Sequence, residues 1–301
     1  MKKISLILVS SLVFLLPQSA TAQLKVFACE AEWGALAEEL GGDKLAVYVA
    51  TTGLQDPHNV QARPSLIAKA RSADLMICTG IQLEIGWLPI LQRQSGNEKI
   101  QPGAPGYFEA AAFVPKLEIP ASIDRAQGDV HPDGNPHIQT DPYNIARVAQ
   151  ALSQRLVQID AVNAPFYRER YQSFTARWQE AIRRWEAQAA PLKGVAVIVH
   201  HKTWAYLEHW LGLREVATLE PKPGIEPTSA HLAQILQTLQ RDPAKIVIRT
   251  PYNSARASES LAERAHLHAL VLPDTIGGTQ QAKDLFGLFD DIVQRLLKGM
   301  Q

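Results

Sequence analysis

Four side chains with metal-binding chemistry are spread along the sequence, and each follows the C-terminal end of a predicted β-strand. They are His58, His137, His201 and Asp274. Imidazole nitrogen and carboxylate oxygen are ligands that Zn²⁺ accepts in a tetrahedral shell, and this set supplies three nitrogens and one oxygen without a thiolate. No two of the four are close in sequence. The hypothesis of a metal site therefore requires a fold that brings distant segments together.

Short apolar runs rich in β-branched residues predict two sets of four strands. The first set lies at 24–29, 45–50, 75–78 and 111–114, and the second at 195–200, 214–219, 245–249 and 269–272. Helical patterns alternate with them at 32–40, 64–70, 81–92, 142–158, 203–210, 229–240, 255–265 and 282–297. Alternating strands and helices are typical of parallel sheets that are covered on both faces. The sequence therefore predicts an α/β fold with two lobes, each a (β/α)4-like unit with a parallel four-stranded sheet.

The segment 163–190 separates the two sets and has the pattern of one long helix. Its larger apolar residues recur every three or four positions, and they are Tyr167, Tyr171, Phe174, Trp178, Ile182, Trp185 and Ala189. At about 1.5 Å per residue the helix would extend roughly 40 Å, the length of a domain. We expect it to hold the lobes, 23–162 and 191–301, apart and nearly rigid. Ligands of open parallel sheets bind beyond the carboxyl ends of the strands, which places all four candidate ligands in the cleft between the lobes.

Residues 1–22 have the pattern of a secretory signal peptide. Lys2 and Lys3 precede an apolar stretch at 4–16, and Ala20-Thr21-Ala22 forms a small-residue cleavage site before Gln23. The apolar stretch is shorter than the roughly 20 residues that a membrane-spanning helix needs. We expect an exported, periplasmic, monomeric protein without membrane insertion.

Charge and motifs exclude several classes of function. The 30 basic and 30 acidic residues cancel, which does not favour a polyanion such as nucleic acid or a charged membrane as partner. The sequence has no G-x-S-x-G, H-E-x-x-H or glycine-rich phosphate loop, so we expect no enzyme activity. A zinc hydrolase is the alternative to a zinc-binding protein without enzyme activity, because catalytic zinc has three protein ligands and an open position. If Asp274 is a fourth protein ligand, no open position remains and a hydrolase is disfavoured.

Two cysteines, Cys29 and Cys78, fall at the ends of predicted strands in the first half. In an oxidising periplasm they could form a disulfide, and two buried free thiols are the alternative. A third hypothesis is a lipoprotein in which Cys29 is acylated. The role of 24–29 as the first strand disfavours that hypothesis.

An ordered set of motifs covers nearly the whole mature chain. It includes Asp56-Pro57-His58-Asn59, Gly134-Asn135-Pro136-His137, His201-Lys202-Thr203-Trp204-Ala205-Tyr206-Leu207, Gly224-Ile225-Glu226-Pro227 and Asp274-Thr275-Ile276-Gly277. In this order the motifs resemble the zinc/manganese solute-binding proteins of bacterial ABC importers. The resemblance implies two α/β lobes bridged by a long helix, with the metal in the cleft. It also implies a membrane permease and its ATPase as partners, and a periplasmic metallochaperone is a further candidate.

The resemblance implies the ligand set as well. His58 and His137 correspond to the first two ligands of the family and Asp274 to the last. The third position is glutamate in manganese-type members and histidine in zinc-type members, and here it is His201. Neutral imidazole in place of a carboxylate suits Zn²⁺ and disfavours the harder Mn²⁺. We therefore expect a zinc receptor, with a manganese or iron receptor, or a metal-dependent adhesin, as alternatives.

Three further residues have open assignments. His131 is the only histidine in the loop 124–133, where many zinc-type members have a long His/Asp/Glu-rich loop thought to gather metal, and it is either an auxiliary capture residue or a solvated histidine. Glu226 either orients a ligand from outside the coordination shell or caps the following helix, and we favour the cap. Neighbouring side chains on a strand point to opposite faces, so we expect His201 and not His200 in the cleft.

Overall fold

The computed structural model describes residues 22–122, 128 and 130–301. Residues 1–21 of the predicted signal peptide and part of the loop 124–133 lie outside this range. Within the described residues, no helix combines the length and the apolar composition that crossing a bilayer would require.

Two parallel four-stranded sheets form the centres of the two lobes. In the first lobe β1 is Leu24–Ala28, β2 Leu45–Val49, β3 Leu75–Cys78 and β4 Tyr107–Glu109, in the order β2-β1-β3-β4. In the second lobe β5 is Ala196–Val199, β6 Arg214–Thr218, β7 Ile246–Arg249 and β8 His268–Val271, in the order β6-β5-β7-β8. The predicted parallel pairing is confirmed throughout both sheets.

The helices cover both faces of these sheets. They are α1 (Ala31–Gly41), α2 (Pro64–Arg71), α3 (Leu88–Ser95), α4 (Pro142–Ile159), α5 (Ala164–Ala189), α6 (Ala205–Leu211), α7 (Ser229–Leu239), α8 (Ala255–Ala265) and α9 (Leu285–Lys298). Side chains cap several of them where the sequence supplies a suitable residue. Asp141 accepts from the backbone N–H of Tyr143 at the start of α4, and Thr228 accepts from that of His231 at the start of α7.

The long helix α5 bridges the lobes as predicted. Trp178 and the other large residues of its apolar stripe are buried, except for the partly buried Tyr171. The Trp178 indole N–H donates to the Pro142 carbonyl of the first lobe at 2.8 Å, and its ring lies against Phe286 and Phe289 of the second. One apolar cluster therefore continues from β1 through α5 to β5 and α9. The lobes share a core, which favours the rigid arrangement expected above.

Two predicted elements are wrong. The fourth strand is β4, not 111–114, because Gly106 and Tyr107–Glu109 align with β3 and the chain then forms a 3₁₀ turn at Ala110–Phe113. The predicted helix 81–92 begins only at Leu88. Its first part is a tight turn in which Ile81 and Gln82 have positive φ, and the Glu84 carboxylate accepts from the backbone N–H groups of Thr79 and Gly80. A local carboxylate bond thus replaces the helical pattern there.

The two cysteines form a disulfide at the carboxyl ends of the adjacent strands β1 and β3. Cys29 and Cys78 have Cα atoms 4.8 Å apart, and both side chains are buried. Parallel pairing of β1 with β3 puts the ends of these strands side by side, which is the geometry that the bond requires. Of the alternatives raised from the sequence, the disulfide is the one that the structure contains, and neither a free thiol nor an acylated Cys29 is compatible with it.

Candidate metal centre

Three histidines from three distant segments meet between the lobes. One ligand nitrogen from each of His58, His137 and His201 lies within 4.8 Å of the other two. The ring centroids are 5.3 Å apart for His58 and His137, 5.6 Å for His58 and His201, and 5.4 Å for His137 and His201. Three imidazoles facing a common point are the arrangement that a borderline cation such as Zn²⁺ prefers.

A turn after β2 positions His58. The Asp56 carboxylate accepts from the His58 backbone N–H at 3.0 Å and lies 2.8 Å from its Nδ1. Burial alone would raise the pKa of Asp56, but the hydrogen bonds from His58 and Asn59 hold it below its usual value. With Nδ1–H held by an ionised carboxylate, Nε2 is the nitrogen that His58 presents as a ligand.

His201 has the same support from the second lobe. It follows β5, and its Nδ1 lies 2.7 Å from the Glu220 carboxylate, which follows the neighbouring strand β6. The backbone N–H of Gly224 donates to the same carboxylate oxygen of Glu220 at 2.9 Å. His200 is buried on its own strand end and does not belong to the three-histidine set. The structure thus brings the predicted member of this pair to the centre.

His137 is the most deeply buried of the three, with 1% of its surface exposed. Among the described residues, neither of its ring nitrogens has a hydrogen-bond partner. Burial, reinforced by the neighbouring His58, His201 and His131, holds the pKa of His137 well below its usual value. Buried polar atoms are normally hydrogen-bonded, so the ring nitrogens of His137 are unsatisfied among the described residues. A neutral imidazole has a nitrogen lone pair that can bind a metal ion.

Asp274 follows β8 and lies beside the histidines. Its Oδ2 accepts from the Tyr252 hydroxyl at 2.9 Å, whereas Oδ1 has no hydrogen-bond partner among the described residues. Burial raises the pKa of Asp274 to about 6, although the Tyr252 hydrogen bond and the charge of His58 oppose this. The set of ligand atoms within 4.8 Å of one another does not include Asp274. The structure therefore brings three of the four predicted ligands to one point and places the fourth next to them.

The two auxiliary candidates differ in their positions. The His131 ring centroid lies 5.3 Å from that of His58, and His131 lines a cavity of about 250 Å³ together with His137, His201 and Lys202. Glu226 is exposed in the loop after Glu220, and the side chain that caps α7 is that of Thr228.

The groups that orient the candidate ligands were not predicted from the sequence. Asp56 stands two residues before His58 in the motif Asp56-Pro57-His58-Asn59. This spacing is typical of an Asx turn, so the sequence did contain a local indication that Asp56 contacts His58. Glu220 follows β6, which is adjacent to β5, the strand before His201. Tyr252 follows β7, which is adjacent to β8, the strand before Asp274. Only the strand order reveals that these two residues reach the site.

Comparison with known proteins identifies the family. The family model "Zinc-uptake complex component A periplasmic" matches residues 26–299. The high-affinity zinc uptake system protein ZnuA of Bacillus subtilis is 20% identical over 263 residues, covering 86% of this chain and 81% of that protein. The manganese ABC transporter substrate-binding lipoprotein PsaA of Streptococcus pneumoniae is 21% identical, covering 74% and 71%.

A solved structure described as the crystal structure of ZnuA superposes with a TM-score of 0.77 at 21% identity. The alignment covers 93% of this chain and all of that one, so the two proteins share the two-lobed fold. Members of the family are periplasmic or extracellular metal-binding receptors of ABC importers, which work with a membrane permease and an ATPase and are not enzymes. The chain belongs to this family of periplasmic zinc-uptake components.

Proposed function

We propose that this protein is the zinc receptor of an ABC importer, which captures Zn²⁺ in the periplasm and delivers it to the permease. The observation that carries the proposal is the convergence of three imidazoles, two of which have Nδ1 held by a carboxylate. Carboxylate support of this kind fixes the tautomer, orients Nε2 and increases the basicity of the ligand.

The donor atoms favour zinc over manganese. The named relatives include both a zinc protein and a manganese protein at similar identity, so similarity alone does not separate the two metals. Mn²⁺ prefers oxygen donors and a higher coordination number, whereas three nitrogens in a buried site suit Zn²⁺. His201 is the position that makes nitrogen the majority donor.

Asp274 is proposed as the fourth ligand, through Oδ1. A buried carboxylate oxygen without a hydrogen-bond partner is costly unless a cation compensates it. Binding would require Asp274 to approach the three histidines, because it lies outside their 4.8 Å set. A shell filled by four protein groups leaves no position for a reactive water, which distinguishes a carrier from a zinc hydrolase.

His131 is proposed as an auxiliary capture residue. It lies beside His58 at the cavity that borders the site, so an incoming cation could exchange a water ligand for its imidazole before reaching the three histidines. This role concerns the rate of capture rather than the final coordination shell.

The proposal is tested by elemental analysis of protein purified without added metal or chelator. We expect about one zinc per chain, and competition titration should show tighter binding of Zn²⁺ than of Mn²⁺. The His137→Ala variant, which removes the most buried ligand, should lose zinc in the same preparation. Manganese or iron in place of zinc, together with preference for that ion in titration, would instead establish the alternative receptor.

A further inference from the structure

Two side chains that flank His137 in the sequence form hydrogen bonds between the two lobes, next to the candidate ligands. Asn135 stands two residues before His137 and Gln139 two residues after it. Both side chains are buried. Each donates from its amide nitrogen to a backbone carbonyl of the second lobe. The acceptor for Gln139 is the proposed ligand Asp274, and the acceptor for Asn135 is Lys202, which follows His201.

Asn135 uses both ends of its amide. Its Oδ1 accepts from the His137 backbone N–H at 2.9 Å, which shapes the local turn. Its Nδ2 donates at 2.7 Å across the cleft to the carbonyl of Lys202, the residue after His201. The same nitrogen also donates to Glu118 at 2.9 Å, and the Tyr206 hydroxyl donates to the Asn135 carbonyl at 2.9 Å. The turn that carries His137 is thereby bound to the segment that carries His201.

Gln139 makes the corresponding bond to the other ligand of the second lobe. Its Nε2 donates to the carbonyl of Asp274 at 3.3 Å. The neighbouring Thr275 hydroxyl donates to the Glu32 carboxylate of α1, a second buried bond between the lobes at the same loop. Backbones also meet there, since a Cβ on Gly53 would lie 2.2 Å from the Gly278 nitrogen. The Asp274 loop is therefore held against the first lobe at several points.

We propose that Asn135 and Gln139 are positioning residues that brace the site across the cleft and set the rate at which bound metal leaves. The inference rests on the proposed receptor function. In this proposal bound metal leaves when His201 and Asp274 of the second lobe move away from His58 and His137 of the first lobe. The two amide bonds oppose that separation while touching no metal themselves.

Each brace has a matched control within the first lobe. The buried Gln92 donates from Nε2 to the Ile100 carbonyl at 2.9 Å, so Gln92→Met removes the same kind of bond as Gln139→Met without affecting the cleft. Asn97 also accepts from the backbone N–H two residues later, and it donates to the Ala70 and Ala73 carbonyls. Asn97→Asp therefore matches Asn135→Asp, since both substitutions keep the turn acceptor and remove the amide donor.

The experiment measures zinc release into an excess of a chromogenic chelator by stopped flow, together with zinc association and thermal unfolding of the metal-free proteins. Removing one buried hydrogen-bond donor typically weakens a contact enough to change an equilibrium or rate about tenfold. We expect Gln139→Met and Asn135→Asp each to release zinc about tenfold faster, with association changed less than twofold. Both controls should release zinc within twofold of the parent protein.

The sign of the Asn135→Asp effect is informative. An added carboxylate near a cation would by Coulomb attraction slow release, so faster release of Asn135→Asp reports the loss of the amide donor. Because the same amide nitrogen also donates to Glu118, Gln139→Met, which adds no charge, is the variant that isolates a bond across the cleft. Should one variant fail to fold, the other decides, and Thr275→Val provides a third break in the same interface. Parent protein that binds no zinc would overturn the proposed function and the brace with it. Zinc-binding parent protein whose brace variants release metal at the rates of their controls would overturn the brace alone.

Discussion

At the scale of single residues, His201 determines the chemical character of the site. It supplies one of three nitrogens that lie within 4.8 Å of one another. With Asp274 as the proposed fourth ligand, a carboxylate at this position would make oxygen as abundant as nitrogen. Because Mn²⁺ favours oxygen donors and zinc tolerates nitrogen-rich tetrahedral sites, this side chain should govern metal preference.

The His201→Glu variant should therefore lose zinc affinity and gain manganese affinity, so that the ratio of the two dissociation constants shifts at least tenfold toward manganese. Competition titration with both ions measures this ratio. The control is His209→Glu, which adds the same charge at an exposed position on α6. An unchanged ratio in His201→Glu would show that this residue does not coordinate the metal.

Glu220 should contribute to affinity without contacting the metal. Its carboxylate lies 2.7 Å from His201 Nδ1, and loss of such an outer partner typically reduces metal affinity about 10- to 100-fold. We expect Glu220→Gln to weaken zinc binding about tenfold in a chelator competition assay. Glu226→Gln, the same substitution at the exposed acid of the next loop, should leave affinity within twofold. Equal effects of the two substitutions would contradict the orienting role of Glu220.

At the scale of the elements, α5 makes one folding unit of two lobes. Trp178 is fully buried, bonds to the carbonyl of Pro142 and contacts Phe286 and Phe289 with its ring. A flexible linker would leave each lobe with its own core, whereas this helix lies inside a core common to both.

Trp178→Ala should consequently reduce the free energy of unfolding by about 3 to 5 kcal/mol, the usual cost of truncating a buried tryptophan. Guanidinium unfolding followed by circular dichroism should still show one cooperative transition, because both lobes lose the same support. Tyr171→Ala, on the same stripe but only partly buried, should cost less. Two separate transitions in the parent protein would contradict a shared core.

At the scale of the whole molecule, buried acids link stability to pH. Burial raises the pKa of Glu84 to about 7 and that of Glu32 to about 8, from 4.5. Burial, together with the charge of Glu84, also raises the pKa of Glu30, which lies beside the disulfide strand ends. The folded protein keeps protons on these groups that the unfolded chain has already lost.

The sign of the linkage follows from this difference. Because these three acids bind more protons in the folded than in the unfolded state between pH 4.5 and about 8, their contribution to the stability of the metal-free protein falls as pH rises through this range. They outnumber the buried His137 and His200, whose lowered pKa values make stability rise with pH only below 6.5, so we expect a net decrease. Thermal unfolding of the metal-free protein at several pH values should show a decreasing melting temperature. Glu84→Gln, which keeps an acceptor for the Thr79 N–H, should flatten the profile, whereas the exposed Glu180→Gln should not. A parent profile that rises with pH would refute the linkage.

Patterns within the sequence predicted the alternation of strands and helices, the long bridging helix and the residues able to bind a metal. These follow from local periodicity and from side-chain chemistry, which do not depend on distant contacts. Two predicted elements were wrong. The Glu84 carboxylate accepts from the Thr79 backbone N–H in a tight turn where the helix 81–92 was predicted to begin, and a 3₁₀ turn at Ala110–Phe113 stands where a strand was predicted.

Which distant groups meet depends on the packing of the whole fold. Strand order puts Cys29 beside Cys78 and Glu220 beside His201, and the shared core brings Asn135 and Gln139 against the backbone of the second lobe. Contacts between residues far apart in sequence depend on how whole sheets and helices pack, and no local pattern in one chain encodes that geometry.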